Sequence, residues 1–318
     1  SASLVGSEMC IRDRYNGNRI SVFDEIPISP TEKPDWSIQA DSPTDYTLLD
    51  DFIIQNPIID SNERMLFVSS DFDRSLSIWK QLPGSTSAQP DIVMRRFDQP
   101  PWDLVVVENE VYLGGGRSVY GWTNIESTLD SGNFSFDLNA QTLGSITFKD
   151  IRGIAYNGTY FAVADKGADS IYVWEGVPST SDEPAYTLSG LANLGRIDMN
   201  DDYLAIGCYP EGPSFKLLAL SSLESPSYQS VVGQDCPSEM SLNKLGLFIQ
   251  TKNDDSIIGW TSVEAALSGA SHTMSFGGTT DKTNVGTRTA SGIGWDGVHF
   301  WVGEFKFSNR LLGFLPSK

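Results

Sequence analysis

Residues 160–174 read YFAVADKGADSIYVW: an apolar strand, a polar turn, and a second strand that ends in tryptophan. The plan recurs as MLFVSSDFDRSLSIW (65–79), VYLGGGRSVYGW (111–122) and YLAIGCYPEGPSFKLL (203–218), then as LFIQTKNDDSIIGW (247–260) and HFWVGEFKFSNRLLGF (299–314). A partial copy, YNGNRISVF, occupies 15–23. The anchors Phe23, Trp79, Trp122, Trp174, Leu218, Trp260 and Phe314 follow one another at intervals of 42 to 56 residues. A further short strand ending at Asn, Asp or Gly precedes each block, as in NPIIDSNE (56–63), WDLVVVENE (102–110), IRGIAYNGT (151–159) and GRIDMNDD (195–202). A fourth follows each loop, as in WSIQ (36–39), DIVM (91–94), FSFDL (134–138) and AYTL (185–188). Four antiparallel strands in a period of about 48 residues is the arithmetic of a β-propeller blade.

The copies beginning at 16, 69, 163 and 305 share a strand, an Asp-x-x-Asn-x-Arg-like turn and a strand closing on Trp or Phe. In this they resemble bacterial NHL-repeat propellers over about 300 residues. That resemblance implies the architecture and carries no chemistry. Two departures stand out. Gly121 and Gly259 precede an anchor tryptophan, and Leu218 replaces the aromatic in one copy. No Gly-His…Trp-Asp pairing recurs, so the WD40 signature is absent from the sequence.

Letter the strands of a blade A to D from the axis outward. The chain shows six A, six B, seven C and six D strands, and both its first and last strands are of C type. Residues 5–14, VGSEMCIRDR, resemble a translated sequencing-adapter string found at the ends of metagenomic contigs. Residues 1–14 are therefore read as non-native and 15–318 as a single propeller domain. On that reading the native ring has seven blades, the first truncated. The alternative is a six-bladed ring in which 36–39 closes on the C-terminal blade and 18–23 is left over.

The 318 residues carry 22 basic and 41 acidic side chains, a net charge of −19. So acidic a chain is a poor partner for nucleic acid or an anionic membrane surface. No apolar run is long enough to span a bilayer. Two histidines leave little for a His-based metal centre or a Ser-His-Asp hydrolase.

Strand direction puts the B–C and D–A loops on one rim and the A–B and C–D loops on the other. The first rim gathers Asp71, Trp102, Arg117, Arg152, Asp165, Arg288 and Glu304, the residues expected to bind a ligand. Loops on a rigid scaffold are where function concentrates, although Asp in such loops often serves the turn itself. Carboxylates converging there suit Ca²⁺, but no EF-hand-like loop is present and no cofactor is evident. Cys208 and Cys236 reach this rim from adjacent blades, so a disulfide between them is geometrically plausible, two unrelated buried thiols being the alternative; a bridge implies an oxidising compartment. The expected protein is a secreted or periplasmic monomer. It acts as a rigid scaffold for a protein, glycan or small molecule. The alternative is a Ca²⁺-dependent hydrolase or lactonase using the same rim, and no residue is singled out as catalytic.

Overall fold

The computed structural model describes residues 19–23, 36–39, 58–70, 74–83, 88–95, 97–209, 215–231, 234, 236–237, 239–250, 256–277, 290–295, 300–304 and 311–314. Within 160–174, Tyr160–Asp165 and Ser170–Glu175 pair antiparallel about a 3-10 turn at Lys166–Ala168. The turn closes because Asp169 adopts the left-handed conformation (φ 49°), which aspartate tolerates better than most residues. Ile151–Tyr156 and Tyr186–Ser189 flank this hairpin and complete a four-stranded sheet, blade III, in the order A to D.

Four more sheets repeat that order. Blade I is Ile58–Ser61, Leu66–Ser70, Ser75–Trp79 and Ile92–Met94. Blade II is Asp103–Val107, Glu110–Gly115, Ser118–Trp122 and Leu138–Ala140. Blade IV is Leu194–Met199, Tyr203–Cys208, Lys216–Ala219 and Tyr228–Ser230. Blade V is Met240–Asn243, Gly246–Gln250, Ser256–Trp260 and Met274–Gly277.

Each sheet is apolar on both faces, so the core lies between blades. One cluster joins Phe67, Leu76 and Ile78 of blade I to Leu104, Leu113 and Trp122 of blade II. The opposite face of blade II supplies Tyr112 and Val119 to Phe161, Val163 and Trp174 of blade III. Equivalent seams join III to IV and IV to V. The anchor tryptophans Trp122, Trp174 and Trp260 are therefore seam residues, and the Trp174 and Trp260 indoles also donate to their own C–D loops, at Asp182 O and Ala270 O.

The ends of the chain meet in a sheet of another kind. Its order is Trp36–Gln39, Arg19–Phe23, Leu311–Phe314, Phe300–Glu304 and Ala290–Trp295, and its innermost strand packs between the A strands of blades V and I. This corrects the expected blade count. Among the described residues five blades have the regular four-stranded form, not seven. Nor does the six-bladed alternative hold, because 36–39 pairs with 19–23 rather than with the C-terminal blade. Strand 19–23 instead lies parallel to 311–314, Ile20 opposite Leu311 and Phe23 opposite Phe314. Both are C-type strands running the same way, so pairing between them is parallel, and it covers an edge that would otherwise be open.

The two glycines beside anchor tryptophans have a steric cause. Gly121 lies directly across from Tyr112, and Gly259 from Phe248. A Cβ at Gly121 would stand 2.4 Å from the Tyr112 ring, and one at Gly259 would stand 2.7 Å from the Phe248 ring. The Tyr112 ring is held in turn by edge contacts to Phe161 and Tyr156, at 5.1 and 5.6 Å, so it has nowhere to move. Gly121→Ala is expected to lose about 1–3 kcal/mol through overpacking, read as a lower urea midpoint.

Two C–D connections hold short helices. They are α1 (Ile125–Ser131), capped by Asn124, and α2 (Val263–Leu267), capped by Ser262.

Candidate functional site

On the B–C/D–A rim, Trp102 immediately precedes the A strand of blade II and Arg152 is the second residue of the A strand of blade III. Tyr209 immediately follows the B strand of blade IV. The Arg152 guanidinium carbon sits 4.3 Å from the Trp102 ring centroid and 4.9 Å from that of Tyr209. Asp150 lies 3.0 Å from Arg152 Nε and 3.9 Å from Lys166 Nζ, and Lys166 also approaches the Tyr209 ring at 5.2 Å. One arginine of blade III thus brings together aromatic groups from blades II and IV. Such a cation over aromatic faces contributes about 0.5–2 kcal/mol, more as water is excluded.

Tyr209 is held from both sides. Its backbone N–H donates to Asn193 O at 2.8 Å, and Cys208 before it is disulfide-bonded to Cys236, with Cα atoms 5.8 Å apart. Its ring nevertheless remains 46 % exposed, the one large hydrophobic side chain so exposed among the described residues. Denatured, unreduced protein is expected to titrate a single thiol, Cys10, with Ellman's reagent. Three thiols would show the pair reduced, and with it the loss of the argument for an oxidising compartment.

The other expected rim residues divide. Arg117 is exposed in the B–C turn of blade II. Asp165 is fully buried, and its carboxylate accepts the backbone N–H groups of Lys149, Asp150 and Gly167, so it organises the turn. Asp71 and Arg288 lie outside the described residues, and Glu304 is placed only as the last residue of a strand. No group of three or more metal-binding side chains converges among the described residues. No helix among them is long and apolar enough to cross a membrane.

A second feature lies along the axis. Asp60, Asp103 and Asp198 each accept the backbone N–H of the residue that follows and another from the A strand of the next blade. The second donors are Val106 to Asp60 (2.6 Å), Ile154 to Asp103 (2.9 Å) and Leu242 to Asp198 (2.7 Å). Burial pushes Asp60 up to about 8 and Asp198 up to about 7. Burial also raises Asp103, opposed chiefly by Arg196. That guanidinium donates from Nε and Nη2 to Asp103 Oδ1, at 3.0 and 2.8 Å, and from Nη1 to Glu239. It therefore ties blade IV to blade II and to the strand entering blade V.

These axial carboxylates and Tyr209 were not among the expected site residues. A sequence signal existed for two of them. Asp-x-Asn occurs at 60–62 and 198–200, with the asparagine starting the A–B turn and the aspartate on an apolar strand.

No protein-family model matches the chain, and no curated protein sequence matches it. Solved structures do. The WD40 β-propeller domain of Doa1 superposes with a TM-score of 0.57 at 12 % identity, covering 94 % of this chain and 92 % of that one. The Cps50 (Swd1) β-propeller domain of Myceliophteria thermophila gives 0.52 at 10 % identity, covering 86 % and 84 %. At such identities the likeness shows the fold alone: the chain is an all-β propeller of four-stranded antiparallel blades.

Proposed function

We propose that this chain is a rigid propeller scaffold that binds another protein through the rim where Trp102, Arg152 and Tyr209 meet. The observation that carries the reading is the Arg152 guanidinium held against Trp102 and Tyr209, with the Tyr209 ring open to solvent. Trp, Tyr and Arg dominate binding hot spots because they bury much area at small entropic cost. Here the disulfide and the A strands preorganise all three, which lowers the cost of ordering on association. The NHL-like turns in the sequence support reading it as an NHL-type propeller. The Cys208–Cys236 bridge supports a secreted or periplasmic location.

The test is quantitative cross-linking of the tagged protein in extracts of the cells that make it. An Arg152→Ala/Tyr209→Ala variant is compared with an opposite-rim variant, Asp201→Asn/Asp202→Asn. The proposal expects partners held by wild type and by the opposite-rim variant to be lost from the first, with both variants folded by circular dichroism. Equal capture by all three proteins overturns it.

A further inference from the structure

The axis encloses a cavity of about 980 Å³, within the size range of metabolite pockets. Its wall is the turn-proximal part of the A strands, so it opens among the A–B turns, on the face opposite Arg152. Asp103 and Arg196 stand at its inner end, and Asp60 and Asp198 lie along its wall.

Its charge is unbalanced. Arg196 is engaged by Asp103 and Glu239, and Arg64 at the mouth is engaged by Glu126 at 2.6 Å, which leaves Lys244 as the other lining cation. Among the described residues Asp60 and Asp198 receive only backbone N–H groups, two each, so both carboxylates keep acceptor capacity. Glu63, Glu108, Asp201, Asp202 and Glu264 surround the entrance, an arrangement that draws cations inward.

Two further polar groups, buried beside the wall, lack hydrogen-bond partners among the described residues. Ser61 Oγ, on a residue 5 % exposed, and the Trp295 indole N–H make no hydrogen bond among the described residues. They lie on the neighbouring A strands of blade I and the closing sheet. Tyr156, Tyr203 and Trp295 add aromatic surface to the same wall. The acids are distributed around a wide space and do not converge on one point, which matches the lack of a metal-sized cluster among the described residues. From this placement we infer that the axial cavity binds an extended organic cation of the polyamine class, with ammonium groups separated by methylenes, entering from the acidic rim.

Methyl NMR of methionine-labelled protein tests this with spermidine as the probe, at physiological ionic strength and pH 8.5, where Asp60 and Asp198 are mostly ionised. Met199 and Met240 belong to the III–IV and IV–V seams and also line the cavity, whereas Met65 and Met94 sit in the seam between blades I and II and are not among its lining residues. Saturable shifts confined to Met199 and Met240 are expected. Asp198→Asn should weaken binding about tenfold or more, since a charge-assisted hydrogen bond is lost. Unmoved Met199 and Met240 methyls overturn the inference in the wild-type protein, whatever the variant's fold. Undiminished affinity in folded Asp198→Asn overturns it too, and so does an equal response to citrate. Spermidine binding should survive Arg152→Ala/Tyr209→Ala, so this site and the rim stand or fall separately.

Discussion

Arg196→Ala is expected to lose about 3–5 kcal/mol of folding free energy, the usual cost of breaking a buried ion pair from one side. The guanidinium makes two charge-assisted bonds to Asp103 and one to Glu239, and both carboxylates are buried. Truncation leaves two largely buried carboxylates without their cation. It also removes a link between residues 93 positions apart, which no backbone hydrogen bond replaces. Urea denaturation followed by tryptophan fluorescence reads the loss. Adding Asp103→Asn and Glu239→Gln to Arg196→Met should restore most of it, because the penalty comes from uncompensated charge and not from missing volume. A loss below about 1 kcal/mol in Arg196→Ala would place the ion pair among those that are energetically neutral.

The second large effect is a fall in stability as pH rises through the neutral range. Asp60 and Asp198 have folded values of about 8 and about 7, against 3.8 for a free carboxyl. The folded state therefore binds protons more tightly than the unfolded state. Their stabilising contribution is fully present below pH 3.8 and is lost as pH rises through 7 to 8. Each group supplies a slope of up to about 1.4 kcal/mol per pH unit inside its window. The net charge of −19 adds self-repulsion in the same direction, so the difference between wild type and variant is the proper readout. Asp198→Asn should flatten the stability profile between pH 4 and 7. The amide still sacrifices one N–H acceptor, which lowers the whole curve without tilting it. Parallel curves for wild type and variant would show that Asp198 titrates normally.

The blades were legible because a strand–turn–strand unit ending in Trp repeats, and repetition exposes what any single copy hides. The placement of Trp102, Arg152 and Cys208 on one rim followed from alternating strand direction alone. Tyr209 escaped notice because its partners, Arg152 and Lys166, belong to the preceding blade. The Arg196–Asp103–Glu239 link was out of reach for a stronger reason. It crosses the axis between blades that are not adjacent, and a repeat pattern specifies only neighbours. Closure was misjudged because strand counting assumed that every C-type strand has its own A and B strands, whereas 19–23 shares those of 311–314. The helices after Asn124 and Ser262 span seven and five residues, too short for a 3.6-residue period to register.

The cores between blades have a consequence for fragments of the gene. A segment cut to one sequence repeat would carry one wall of each of two cores and the whole of neither. It would also carry an axial aspartate without its donor amide, or the amide without its aspartate. The smallest piece that encloses a complete core spans two consecutive repeats, such as 58–140. Duplication or exchange of parts in such a ring is best tolerated when the joints preserve the seams. The repeat written in the sequence and the unit that folds are offset by half a blade.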